Sequence, residues 1–113
     1  MKILERPITV NELKTMAAGM FGDLVKAVVD IDRDLIALDA ELHSDLEALL
    51  IDHGSKQQNL WGINLYPGME GDEFVEFDSM INMRPSQGNM SRSVDNEGIR
   101  QKIMRTVNTW VKR

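Results

Sequence analysis

Hydrophobic residues recur along this chain at two spacings, which predict three helices and four strands. A spacing near 3.6 residues predicts helices over residues 10–21, 45–53 and 95–112. Alternating apolar and polar positions predict strands over residues 24–31, 35–42, 60–66 and 73–83. The element order α-β-β-α-β-β-α predicts a single α+β domain over residues 1–113, with one four-stranded sheet, mixed or antiparallel, covered mainly on one face by the three helices.

Capping residues support the helix boundaries. Thr9 with Glu12, and Ser44 with Glu47, have the spacing of capping boxes that open the first two helices. Asp95 is the predicted N-cap of the last helix. These residues predict where each helix begins.

Alternation in the predicted strands sorts their residues between two faces of the sheet. Trp61, Ile63 and Leu65 share one face, and we expect them to be buried. The other face is polar, as expected for the solvated side of a half-covered sheet or for the wall of a binding site. Its members are Lys26, Asp30, Asp39, Glu41, His43, Asn64, Tyr66, Glu76, Asp78, Asn82 and Arg84.

The net charge of −5 is unevenly distributed along the chain. The segment from Asp23 to Asp78 has 14 acidic and 3 basic residues, whereas the segment from Arg84 to Arg113 has 7 basic and 2 acidic residues. One interpretation is a set of solvated acids and a last helix whose cations suit its dipole. The other is a homo-oligomer in which an acidic face meets the basic helix of a second copy.

Composition argues against several classes of protein. A pI near 4.9 opposes nucleic-acid binding. No apolar run is long enough for a membrane helix, and no signal peptide is evident, so we expect a cytoplasmic protein without membrane contact. The chain has no cysteine, and the segment Asp30–Asp34 lacks the glycine of a calcium loop, so no metal site and no cofactor is predicted.

The polar segment 82–92 is the strongest candidate binding site, because it follows a predicted strand and contains arginines, asparagines, serines and a glycine. Arg84 is the predicted anchor for an anion, because a guanidinium offers a planar fork to carboxylate or phosphate. Asn64, Asn82 and Asn89 are predicted to donate hydrogen bonds, and Tyr66 to form an amphipathic wall. The first functional hypothesis is therefore a small binding protein for a small anionic molecule.

Two alternatives remain open. His43 lies close in sequence to Glu41 and Asp45, and we expect such carboxylates to raise the pKa of an imidazole that acts as general acid or base. That arrangement predicts a hydrolase- or lyase-type enzyme, and it requires His43 and Arg84 in one pocket. The second alternative is a purely structural, homo-oligomeric interaction protein.

Two segments carry a resemblance to a known family. They are Gly54-Ser55 with Trp61-Gly-Ile-Asn-Leu-Tyr-Pro67, and Ile81-Asn-Met-Arg-Pro85 with Gly88-Asn89. Together they resemble a family of small prokaryotic proteins classed as a domain of unknown function. The resemblance implies a shared fold and carries no activity, substrate or catalytic residue.

Overall fold

Seven strands and three helices make up the fold, and the computed structural model describes all residues from Met1 to Arg113. The strands are β1 (Lys2–Ile3), β2 (Ile8–Thr9), β3 (Val25–Asp30), β4 (Leu35–Leu38), β5 (Leu60–Leu65), β6 (Val75–Glu76) and β7 (Val111–Lys112). The helices are α1 (Val10–Ala18), α2 (His43–Asp52) and α3 (Glu97–Trp110). The predicted α+β class with three helices is confirmed. No helix combines the length and the apolar character that crossing a membrane requires.

The main sheet has five antiparallel strands in the order β1-β4-β3-β5-β6, and β2 pairs with β7 in a small parallel sheet. The prediction of four strands was wrong because β1, which pairs with β4, is too short to show alternation. Of the two predicted alternatives, mixed or antiparallel, the main sheet is antiparallel. Strands β4 and β5 run in the same direction, but both pair with β3 and are not neighbours.

Helices cover both faces of the main sheet, so the prediction that they cover mainly one face was wrong. Trp61, Ile63 and Leu65 lie in the larger core with residues of α1 and α3, and Trp61 is only 1% exposed, as predicted. On the opposite face, Leu46 and Leu50 of α2 form a smaller core with β3 and β5. The polar face predicted from alternation is therefore partly covered by α2.

The last predicted strand, over residues 73–83, was wrong in length, because β6 ends at Glu76. Ser79 crosses directly over β5 at Gly62, where an added Cβ atom would lie 2.5 Å from the Ser79 Cβ. The Ser79 hydroxyl then accepts a hydrogen bond from the Ile81 N–H and caps a 3-10 turn over Met80–Asn82. A local cap therefore overrides alternation in this segment.

The helix caps agree with the sequence at α1 only. Thr9 and Glu12 form both bonds of a capping box. Helix α2 begins one residue before Ser44, and its N-cap, Leu42, makes no side-chain cap bond. The N-cap of α3 is Asn96, so the prediction of Asp95 was wrong.

Candidate functional site

Asn82, the first predicted ligand donor of the polar loop, pairs with the edge of β5. Its side chain is fully buried; Oδ1 accepts a hydrogen bond from the Gly62 N–H at 2.8 Å, and Nδ2 donates to the Gly62 carbonyl at 2.9 Å. A residue of a neighbouring strand would satisfy the same two groups. The Asn82 carboxamide thus replaces a strand partner where β6 has ended.

Arg84, the predicted anion anchor, lies at the same edge. Its guanidinium donates to the carbonyl oxygens of Ile81 and Gln57, each at 2.9 Å, and to that of Leu60. The guanidinium also lies over the Trp61 ring, 4.5 Å from its centroid. Burial lowers the pKa of Arg84, although a guanidinium stays charged in proteins. Most of its donors are therefore committed to the backbone of this chain.

Asn89 fixes the return of the loop. Its Nδ2 donates to the carbonyl oxygens of Asn82 and Ser93, both at 2.7 Å, and its Oδ1 accepts from the Asp95 N–H at 2.8 Å. The structure thus brings Asn82, Arg84 and Asn89 together, as predicted from the sequence. Their hydrogen bonds run to backbone groups, and this favours a structural role for all three.

Asn64 and Tyr66, the other predicted ligand contacts, lie on the α2 side of the sheet. Asn64 Nδ2 and the Tyr66 hydroxyl both donate to Glu76 Oε1, at 2.8 and 3.2 Å. Asn64 is 6% exposed, and its Oδ1 is buried without a hydrogen-bond partner. Burial and the charge of Glu76 raise the pKa of Tyr66, so the phenol stays protonated near neutral pH.

His43 is buried beside Asn64 at the start of α2. Because a carbonyl oxygen only accepts, the 2.8 Å contact of Nε2 with the Ile63 oxygen places the ring proton on Nε2. Burial lowers the pKa of His43 below its ordinary value. The expected rise in that pKa was wrong because Glu41 and Asp45 are exposed, and neither bonds the ring.

The enzyme hypothesis required His43 and Arg84 in one pocket. The two side chains bind carbonyl oxygens of Ile63 and Leu60, which are three residues apart on β5. That separation is about 10 Å along an extended strand. His43 and Arg84 therefore bind β5 at different points.

A groove between α3 and β6 has a volume of about 1110 Å³. Its floor is formed by the apolar side chains Val75, Phe77 and Met104. Its polar walls consist of Asp72, Glu97, Arg100, Gln101, Arg105, Asn108, Thr109 and Lys112. We call this cavity the α3–β6 groove. Sequence reasoning missed it, although the basic residues on the exposed side of the last helix were a signal.

Two aromatic stacks position α3 along the groove. The Arg100 guanidinium lies 4.6 Å from the centroid of Phe77, and the Arg113 guanidinium lies 4.3 Å from that of Phe74. Such contacts contribute about 0.5–1 kcal/mol each at exposed sites. The first turns of α3 therefore lie near Phe77, and Arg113, which follows β7, lies near Phe74.

The electrostatics of the α3–β6 groove differ from those of the loop at Arg84. Three cations and two carboxylates line the groove, although the whole chain is acidic. Neither Arg105 nor Lys112 lies within 4.0 Å of a carboxylate oxygen, since the ion pairs of the chain are Arg6–Glu12 and Arg92–Asp78. These two cations face solvent and have no anionic partner.

Fold and groove define an antiparallel α+β protein with a partly apolar, cation-lined surface groove. The chain belongs to the family described as "Protein of unknown function (DUF5674)", whose model matches residues 2–110. This match confirms the family resemblance expected from the two sequence segments. Comparison with curated proteins and with solved structures gave no match.

Proposed function

We propose that this protein binds a small anionic ligand that has an apolar part, and that the ligand lies in the α3–β6 groove. One observation supports the proposal: Arg105 and Lys112 lack carboxylate partners and flank an apolar floor. An anion placed there gains charge-assisted hydrogen bonds, while its apolar part covers Val75 and Phe77.

This proposal keeps the anionic ligand expected from the sequence and moves its site. Arg84 donates to three backbone oxygens, so an anion there would have to compete with bonds already formed. Arg105 makes no side-chain ion pair and can turn toward a ligand without breaking one. The loop with Asn82, Arg84 and Asn89 then supports the fold near the site.

Calorimetric titration with benzoate tests the proposal, with uncharged benzamide as the matched probe. We expect benzoate to bind and benzamide to bind more weakly, and rising salt to weaken only benzoate binding. Arg105→Gln should reduce benzoate affinity about three- to tenfold, because one charged hydrogen bond is lost.

Lys102→Gln is the control. It removes the same charge from α3, but Lys102 does not line the groove. Equal affinities for benzoate and benzamide would remove the proposal. Equal losses of benzoate affinity in Arg105→Gln and Lys102→Gln would also remove it, because the overall charge of α3 would then explain the binding.

A second candidate is general base catalysis by His43 without Arg84, which binds β5 at another point. It is favoured by the burial that lowers the pKa of the ring and by the unpartnered Oδ1 of Asn64 beside it. With the proton on Nε2, the Nδ1 atom is the basic nitrogen. Glu41 and Asp45 then act at most through their charge, because both are exposed. An NMR titration of the ring supports this candidate if Nε2 carries the proton and the pKa lies below 6.5, and a higher pKa opposes it.

Two further expectations accompany the proposal. A cytoplasmic location is supported by the sequence, which has no cysteine. Disulfides form in oxidising compartments, and this chain can form none. A homo-oligomer is supported by Met80, Met83 and Met90, which are exposed on one loop. Light scattering at low salt tests it, and a monomer at high micromolar concentration would remove it.

A further inference from the structure

We infer that the α3–β6 groove accepts an extended, acidic segment of a partner protein, which adds to the main sheet as a strand beside β6. This inference rests on the proposed anion site in the same groove. It names the ligand class as an acidic peptide in β conformation. Extended peptides join open sheet edges through backbone hydrogen bonds, and their side chains provide specificity.

The hydrogen bonds of β6 show which of its backbone groups are open. The Tyr66 N–H donates to the Phe74 carbonyl, and Asn64 is the partner of Glu76, so residues 74 and 76 direct their backbone groups toward β5. Backbone direction alternates along a strand. Val75 and Phe77 therefore direct their N–H and C=O groups outward, and both residues line the groove.

Ser79, two residues after Phe77, directs its backbone groups outward in the same way, and it shows that this edge can form hydrogen bonds. The Ser79 N–H donates to the Arg92 carbonyl at 3.0 Å, so the returning loop occupies the edge at that point. No backbone hydrogen bond joins Val75 or Phe77 to the returning loop, and β6 is the last strand of the sheet. The edge is thus closed by the chain itself at Ser79 and open where it faces the groove.

The opposite wall matches a short strand in length and charge. Helix α3 has 14 residues, which corresponds to about 21 Å. About six extended residues cover that distance. Every second side chain of such a segment would face α3, where Arg105 and Lys112 have no carboxylate partner. Acidic residues at alternate positions of the partner therefore fit this wall.

The test uses a synthetic peptide, Thr-Glu-Thr-Glu-Thr-Glu-Thr with blocked ends, and two N-methylated versions of it. One version carries the methyl groups on the Glu residues and the other on the Thr residues. Each therefore blocks one hydrogen-bonding edge of the extended peptide and leaves all side chains unchanged. Affinity is measured by fluorescence anisotropy on the wild-type chain and on the Arg105→Gln and Lys102→Gln variants.

We expect the unmodified peptide to bind and one methylated version to lose at least about tenfold in affinity, because its hydrogen bonds to β6 are lost. The other version should bind as the parent does, with its methyl groups toward solvent. Arg105→Gln should weaken the parent more than Lys102→Gln does. Chemical shifts of the Val75 and Phe77 amides should change on binding.

Other outcomes separate this inference from the anion site. If both methylated versions bind as well as the parent, charge alone directs binding, and the strand is overturned while the anion site stands. If benzoate binds and the peptide does not, the inference fails alone. If neither binds, both fail. The last outcome is that the wild-type chain forms a dimer without peptide, and that this dimer dissociates in Arg105→Gln. A second copy of the chain would then be the occupant of the groove, and the inference of a partner peptide would be overturned.

Discussion

The polar loop over residues 79–95 and the α3–β6 groove both contain arginines, yet Arg84 of the loop and Arg105 of the groove are used differently. In the loop, Arg84 donates to backbone oxygens, and in the groove, Arg105 has no carboxylate partner. The difference arises from β6, which ends at Glu76 and leaves the edge of β5 without a neighbouring strand. Asn82 and Arg84 satisfy that edge, because buried backbone groups without partners are costly. Arg105 is thus available for a ligand because, unlike that of Arg84, its side chain donates to no backbone carbonyl.

The largest expected effect is the loss of the Asn82 carboxamide. Asn82→Ala should lower the free energy of unfolding by about 3–5 kcal/mol, because it leaves buried backbone groups of Gly62 and Arg92 unpaired. Urea denaturation measures the change. The matched control is Asn108→Ala in the groove, which should change stability by less than about 0.5 kcal/mol. Similar losses in the two variants would break the distinction between the regions.

The second effect concerns the two arginines. Arg84→Lys should cost about 2–4 kcal/mol, because an ammonium cannot reach the carbonyl oxygens of Gln57 and Leu60 with the geometry of a guanidinium. Arg105→Lys should stay within about 0.5 kcal/mol of the wild type. Thermal and urea unfolding of both variants provide the comparison. If Arg84→Lys kept full stability but lost benzoate binding, Arg84 would be the anion anchor after all.

The smallest effect concerns His43, a third polar side chain bound to a carbonyl oxygen of β5. Burial lowers the pKa of His43 in the folded state, whereas the unfolded ring titrates near 6.5. The unfolded state therefore binds the proton first as the pH falls. The resulting stability is fully present above pH 6.5 and is lost as the pH falls toward the folded pKa.

His43→Gln removes this titration, so the difference in unfolding free energy between wild type and variant should shrink from pH 7 to pH 5. One proton limits the slope to about 1.4 kcal/mol per pH unit. Denaturation at several pH values measures it. A constant difference across this range would show that burial does not perturb the ring.

Part of the candidate site was predictable from the sequence. The arginine and asparagines around residue 84 were correctly placed together, because they are close in the chain and follow one strand. Their hydrogen-bond partners at Gln57, Leu60 and Gly62 were not predictable, because those partners lie 20 or more residues away. For the same reason, the neighbours of His43 were wrong: Glu41 and Asp45 are near in sequence, but Ile63 and Asn64 are near in space.

What the sequence by itself determined is local: the α+β class, the three helices, the β3–β4 hairpin, the cap at Thr9 and the buried face with Trp61. These features depend on periodicity and on contacts within a few residues. A tertiary contact together with a local cap decided where β6 ends: Ser79 crosses over Gly62, where only a residue without Cβ fits, and its hydroxyl caps the turn that follows. That early end assigned Asn82 and Arg84 to the edge of β5. It also left Val75 and Phe77 at an open edge facing α3, whose position depends on side-chain contacts between residues far apart in the chain.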